Sequence, residues 1–387
     1  MKRAFLLILI LYCSSVLAQA PANLGQAKSV ANQSNKPILL EFFQPDCEFC
    51  QLAAQDFANN DTIKTLLKSV VYYPMDVNLA EGESLSTSYY VENTFPVFAL
   101  CDSAGEIISH WTGYINVSLF ERSLKEALSN PITIKSRYEM LGSSPTPDNI
   151  ITLAKYNNEI GENVKAAELY RRAEGFQKGS DYLFKIFENM ADATWKGKSS
   201  FKQFLQSADD VLAAKSGNIT NVTGVGIIVT RVARKVGRTD EIDKYLQPGI
   251  DITGNKEDKR SKDLHTTLIA DQALYVKKDT AGAISIKKES LGSDWENIPQ
   301  KFYSFAKWCL ERNIDLDEAE NFASKAIEGS TEGKFRASIL VTLADIYKAR
   351  GKNTEAINTM ELAILQDPQN SYYKTKLTEI QTKQGVK

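Results

Sequence analysis

Apolar positions follow two rhythms along this chain. In the first third they come as short runs closed by turn residues. Ile38 to Phe43 is such a run, broken once by Glu41, and its length and its β-branched and aromatic content predict a strand. Gln44-Pro45-Asp46 follows as turn chemistry, because proline fixes φ and aspartate bonds its own backbone. Beyond about residue 147 the rhythm changes to spacings of three and four, the mark of amphipathic helices. Ala166, Tyr170 and Ala173 fall on one helical face, as do Leu340, Leu343, Ala344 and Tyr347, and then Ala356, Met360 and Ala363. Gly351 separates the last two faces and Pro368 ends the second. A composition break, Pro131 and then Gly142 to Pro147, places the domain boundary between about 131 and 147.

The turn after the strand leads into Cys47-Glu48-Phe49-Cys50. Cys47 is expected at a helix N-terminus, where unpaired N–H groups and the positive dipole end favour a thiolate. Glu48 opposes that effect, so a moderate nucleophile is expected. Cys50 lies one turn on along the same face, placed to resolve a mixed disulfide formed by Cys47. The bland alternative is a structural Cys47–Cys50 disulfide that never turns over.

These residues resemble the active site of a thioredoxin-fold protein: apolar strand, aromatic pair Phe42-Phe43, Cys-x-x-Cys, helix. The resemblance runs over roughly residues 25 to 130. Val70 to Val77 is similar to the family's next central strand. Val91 to Leu100 is similar to the segment carrying the cis-proline, at Pro96. Asp102 to Glu106 matches the hairpin turn, followed by a strand to Trp111, then Gly113 and a closing helix. The resemblance implies thiol–disulfide exchange with Cys47 as nucleophile and Cys50 as resolving thiol. It also implies a buried acid at Glu41 that assists deprotonation of Cys50, against a simple edge or solvated position. Pro96 would expose the preceding backbone to a substrate peptide, with Phe95 beside it as an apolar contact or a packing residue. The chain departs from the family at Glu41, where Asp is usual, and at Phe95, where Thr or Ile is common. It also departs at Gln44-Pro45-Asp46 and Glu48-Phe49 around the first cysteine, so the direction of the redox reaction stays open.

The helical part resembles tetratricopeptide repeats, whose helix pairs meet through small residues and close with proline. Three repeat-like hairpins are expected, around 147–176, 300–330 and 337–370. The stretch from 180 to 298 is helical in pattern but degenerate. Within it, Asn221 to Gly226 lacks the Lys-Ser/Thr of a phosphate loop, and Lys256 to Asp263 reads as a solvated face or loop.

At the start, Lys2 and Arg3 precede the apolar run Ala4 to Leu11, and Val16-Leu17-Ala18 fits a small-residue cleavage site. A signal peptide over 1–18 is therefore expected, with Cys13 leaving with it and a mature chain from Gln19. Export, to a bacterial periplasm, follows from that reading, with a secreted or lipid-anchored form as alternatives. No later stretch is apolar enough for a membrane helix, so no stable membrane insertion is expected. The formal charge is −2 and no basic run is interleaved with aromatics, which argues against nucleic acid as a partner. Cys101 and Cys309 read as buried small hydrophobes, with a disulfide between them as the alternative. His110 and His265 have no ligand spacing, so neither a metal nor another cofactor is expected.

The expectation is an α/β thioredoxin-like domain over 19–132, followed by an all-α helical-repeat, tetratricopeptide-like domain over 133–387. The function expected is thiol–disulfide exchange on protein thiols and disulfides, with the redox partner unknown and the repeats recruiting partners. The reading from another class is an exported interaction scaffold whose thioredoxin-like domain is redox-idle.

Overall fold

The computed structural model describes residues 21–384 apart from 93, 177–181, 215–217 and 369. The signal peptide expected over 1–18, its cleavage site and Cys13 lie outside the described residues. The described chain forms two compact units, residues 21–43 with 53–133, and residues 44–52 with 134 onward.

The first elements are α1 (Leu24–Ser34), β1 (Ile38–Phe43), α2 (Glu48–Asn59), α3 (Asp61–Leu67), β2 (Val71–Asp76), α4 (Ala80–Ser88), β3 (Val97–Cys101), β4 (Ile107–Thr112) and α5 (Val117–Ser129). The four strands form one sheet in the order β2-β1-β3-β4. β1 runs parallel to β2 and antiparallel to β3, and β3 pairs antiparallel with β4. β1 is thus central and covered on both faces, which is why its sequence is nearly continuous in apolar residues. Pro74 sits in β2, an edge strand, where a missing N–H is tolerated.

Alternation along β1 sorts its side chains between two cores. Ile38, Leu40 and Phe42 pack with Val71, Tyr73 and Met75, and with Ala27 and Ala31 of α1. Leu39 faces the other way, onto Ala53 and Phe57 of α2 and Phe120 and Leu124 of α5. Glu41 shares the parity of Leu39, so it lies on the sheet face that α2 covers. The β3–β4 turn forms as its residues dictate. The Asp102 carboxylate accepts the N–H groups of Ala104 and Glu106, both at 2.9 Å, and Gly105 takes φ 88°.

From Ile134 on, the described chain is helical: α6 (Ile134–Ser143), α7 (Pro147–Glu159), α8 (Asn163–Phe176), α9 (Tyr182–Trp195), α10 (Phe201–Ala213), α11 (Ile219–Val236), α12 (Asp243–Thr253), α13 (Lys259–Asp271), α14 (Thr280–Glu289), α15 (Pro299–Arg312), α16 (Leu316–Glu328), α17 (Lys334–Ala349), α18 (Asn353–Gln366) and α19 (Ser371–Gln384). From α6 to α14, and again from α15 to α19, consecutive helices pack on each other, the pattern of a repeat array. The three expected hairpins are α7/α8, α15/α16 and α17/α18. Their small residues are the contact points: Ala306, Ala319, Ala323 and Ala326 are fully buried in one core, and Ala344, Ala356 and Ala363 in the next.

The structure adds two features to that expectation. The stretch placed at the boundary is partly a helix, α6, because Arg137 is buried against α7. Its Nη1 lies 3.0 Å from the Asp148 carboxylate and 2.6 Å from Asn149 Oδ1. The degenerate stretch is ordered into α9 to α14, and there glycine takes the place of alanine at close approaches. A Cβ on Gly226 of α11 would lie 2.9 Å from Leu268 Cδ2 and 3.0 Å from the Tyr245 carbonyl oxygen. Gly226→Val is therefore expected to destabilise the helical region by ~1–3 kcal/mol, through overpacking. Urea unfolding followed by helical circular dichroism checks this, and an unchanged midpoint would remove the close-approach explanation.

Candidate active site

β1 delivers the chain to the cysteines. After Phe43 the backbone turns, the Cys47 N–H donating to the Gln44 carbonyl at 3.1 Å. The Gln51 side-chain amide donates to the Pro45 carbonyl at 2.8 Å and clasps the turn from the helix side. Cys47 then stands immediately before α2, as its sequence predicts. Its Sγ accepts the N–H of Cys50 at 3.1 Å, and its carbonyl accepts the N–H of Gln51 at 3.0 Å. The sulfur thus occupies the place of an N-cap oxygen. A thiolate there would keep that hydrogen bond and gain the favourable end of the helix dipole.

Cys47 and Cys50 are joined as a disulfide with Cα atoms 5.2 Å apart, within the ordinary range. The two cysteines differ in access: Cys47 is half-buried, whereas Cys50 is 4% exposed. Phe49, between them, is 55% exposed, and Leu52 is also exposed. An apolar surface therefore adjoins the cysteine pair.

Glu41 is neither at an edge nor solvated. It is buried in the central strand, and its carboxylate accepts a hydrogen bond from the Tyr72 hydroxyl on β2. Burial pushes its pKa up to about 7, while the Tyr72 hydrogen bond works in the opposite direction. The same burial, with the adjacent carboxylate, pushes the Tyr72 phenol well above its usual range, so Tyr72 stays a neutral donor. Nearby, Tyr114 donates to the Asp56 carboxylate of α2 at 2.7 Å. Sequence reasoning did not single out Tyr72, although its place in an apolar strand beside the one carrying Glu41 was the available signal.

The Phe95–Pro96 peptide bond is cis, as the resemblance implies. Pro96 is buried and leads into β3, and its carbonyl accepts the Gly113 N–H at 2.7 Å. Val97 pairs with Phe42, so Pro96 lies at the end of the sheet from which the chain leaves β1 toward Cys47. Phe95 is half-buried.

The remaining candidates are not drawn into this arrangement. Cys101 and Cys309 are both buried and free, so the alternative of a disulfide between them is not realised. Burial raises both thiols, that of Cys309 to about 12, which makes poor nucleophiles of them. His110 is buried with Nε2 3.0 Å from the Tyr89 carbonyl oxygen, and burial lowers its pKa to about 4. His265 bonds Thr253 at 3.0 Å.

The residues from α1 to the last turn of α5 can be compared directly with known families. Residues 24–128 match a family described as a thioredoxin-like domain. This part of the chain is a thioredoxin-like domain. The helical part is an array of antiparallel helix pairs. Among solved structures the chain is similar to yeast Tom70, at 16% identity and a TM-score of 0.41 over 68% of this chain and 53% of that one. It thus spans about half of the Tom70 chain's length. It is also similar to a tetratricopeptide repeat protein from Parabacteroides merdae, at 14% identity and a TM-score of 0.39 over 67% of this chain and 91% of that one. A thermophilic TPR protein of Thermus thermophilus is 13% identical, with a TM-score of 0.31 over 61% of this chain and 100% of that one. No curated protein matches the chain.

Proposed function

We propose that this protein is an exported thiol–disulfide oxidoreductase acting on protein substrates. In the reducing direction, the Cys47 thiolate attacks one sulfur of a substrate disulfide. A Cys47–substrate bond forms, the substrate disulfide breaks, and the released substrate thiolate takes a proton from water. Cys50 then gives its proton to the Glu41 carboxylate and attacks the Cys47 sulfur. The Cys47–Cys50 disulfide forms and the Cys47–substrate bond breaks. The second substrate thiolate takes a proton from water and Glu41 returns its proton to solvent, so the substrate leaves with two thiols. Two electrons pass from the cysteine pair to the substrate. The oxidising direction is the reverse of the same steps.

One observation carries the reading: the more accessible cysteine is the one whose sulfur accepts an N–H at a helix start, with its partner buried one turn on. A structural disulfide has no need of that asymmetry. Phe95 and Pro96, at the same end of the sheet, would meet the substrate, and the exposed Phe49 favours apolar or unfolded segments. The helical hairpins would bind or position a partner protein, as stacked repeats commonly do. Export is read from the charge and apolar pattern of residues 1–18.

The direct test is reduction of insulin by dithiothreitol. The protein is expected to accelerate precipitation of the insulin chains, and the Cys47→Ser/Cys50→Ser double variant is expected to match the blank. Equal rates for the two proteins would leave the scaffold reading, with an idle disulfide.

A further inference from the structure

We propose that Tyr72 is a positioning residue for the cysteine pair, its hydroxyl holding the Glu41 carboxylate in the ionised form that accepts the proton of Cys50. The inference rests on the reading of Glu41 given above and adds to it the residue through which Glu41 is controlled.

The sheet brings the two together. In the β1–β2 register Leu39 lies opposite Tyr72 and Glu41 opposite Pro74, so Tyr72 and Glu41 share the face covered by α2. Tyrosine is long enough to reach across to the next position on that face, and its hydroxyl ends on the Glu41 carboxylate. The ring is held from the other side by Phe57 of α2, edge-on with centroids 5.7 Å apart and planes at 74°. The helix that carries Cys50 therefore also fixes the donor to Glu41.

The other groups around Glu41 leave this task to Tyr72. From β3 the opposite residue is Phe98, which is apolar. From α2 and the segment after β4 come Asp56 and Tyr114, and Tyr114 directs its hydroxyl to Asp56. A buried carboxylate without a donor would stay protonated at neutral pH and could accept nothing. A cation beside it would hold it ionised over a wide range and weaken it as a base. A neutral phenol does neither: it favours the ionised form by one hydrogen bond and leaves protonation within reach.

Removing that donor disfavours the ionised form, so the titration midpoint of Glu41 must rise. A hydrogen bond to a charged group is worth a shift of roughly one to two pH units. The test uses the full chain in its reduced state, with side-chain carboxyl carbons labelled on glutamate and the Glu41 signal assigned by its loss in Glu41→Gln. In Tyr72→Phe the midpoint is expected to move up by about one to two units, and the pH profile of mixed-disulfide resolution by the same amount. Difluorotyrosine incorporated at position 72, a stronger donor, is expected to move both downward.

A Glu41 midpoint unmoved in both proteins overturns the proposal. So does a midpoint that moves while the resolution profile stays in place, since the hydrogen bond would then be structural only. The titration needs no turnover. If the unsubstituted protein fails to reduce insulin, the oxidoreductase reading has failed. If it reduces insulin and Glu41 is indifferent to Tyr72, only this inference has.

Discussion

Cys50→Ser will accumulate mixed disulfides with its substrates, and Cys47→Ser will form none. The half-buried Cys47 sulfur remains open to attack on a substrate in the first variant, and the thiol that would release the product is gone. In the second, the remaining cysteine is only 4% exposed and cannot reach a protein disulfide. Cys101 and Cys309 cannot substitute for either, since both are buried and their thiols are raised. On non-reducing gels, Cys50→Ser is expected to carry a ladder of adducts that collapses on reduction, from a baseline of none in the unsubstituted protein. Insulin reduction by either variant is expected to fall to the dithiothreitol blank. Adducts on Cys47→Ser and none on Cys50→Ser would reverse the assigned roles.

Local chemistry made much of this site legible in the sequence. The apolar run of β1, the turn at Gln44-Pro45-Asp46 and the helix opening at Cys47 are decided by residues within a few positions of each other. Pro96 and the Asp102 turn were legible for the same reason, once their order along the chain was recognised. The surroundings of Glu41 were not. A lone acid in an apolar run is compatible with an edge strand or a central one. The pairing of β3 on the far side of β1, through residues more than fifty positions away, makes β1 central, and α2 then covers that face. Nor does the pair Tyr72-Tyr73 say which ring will meet it. The two point to opposite faces and each finds a glutamate. Tyr73 donates to Glu81 of α4 at 2.7 Å, and Tyr72 donates to Glu41.

In the helical part, legibility followed the residue used for close packing. Alanine at spacings of three and four marks α17 and α18, and more weakly α15 and α16. In α11 and α12 the approach is made by Gly226 and Gly249, both against Leu268 of α13, and Pro248 stands inside α12. Glycine and proline are read as breaks in a helical pattern, so the same packing was written in residues that hide it. The boundary region misled in a similar way. Gly142 and Ser143 look like a linker, but α6 is held down by the buried Arg137 rather than by its own propensity.

Glu41 should also make the stability of the thioredoxin-like domain fall as pH rises through neutrality. Burial raises its pKa from the ordinary 4.5 to about 7 in the folded state. Below pH 4.5 the carboxyl is protonated whether the chain is folded or not, and it adds no pH-dependent cost. Between about 4.5 and 7 the unfolded chain ionises and the folded one does not, so stability drops steadily with pH. Above about 7 the folded state carries a buried carboxylate, and the loss is complete. A shift of that size amounts to ~3 kcal/mol. Glu41→Gln removes the titrating group while keeping the shape and a partner for the Tyr72 hydroxyl. The measurement is hydrogen exchange of the β1 segment, residues 38–43, with the disulfide kept intact and both proteins compared at each pH. Any constant offset from the amide itself will show at pH 4.5. Relative to that offset, the variant is expected to exchange on the order of a hundredfold more slowly than the unsubstituted protein at pH 8. A ratio that stays constant from pH 4.5 to 8 would mean that Glu41 ionises as easily in the folded protein as in water. It would then be no proton acceptor poised near neutrality, and Cys50 would need another route for its proton.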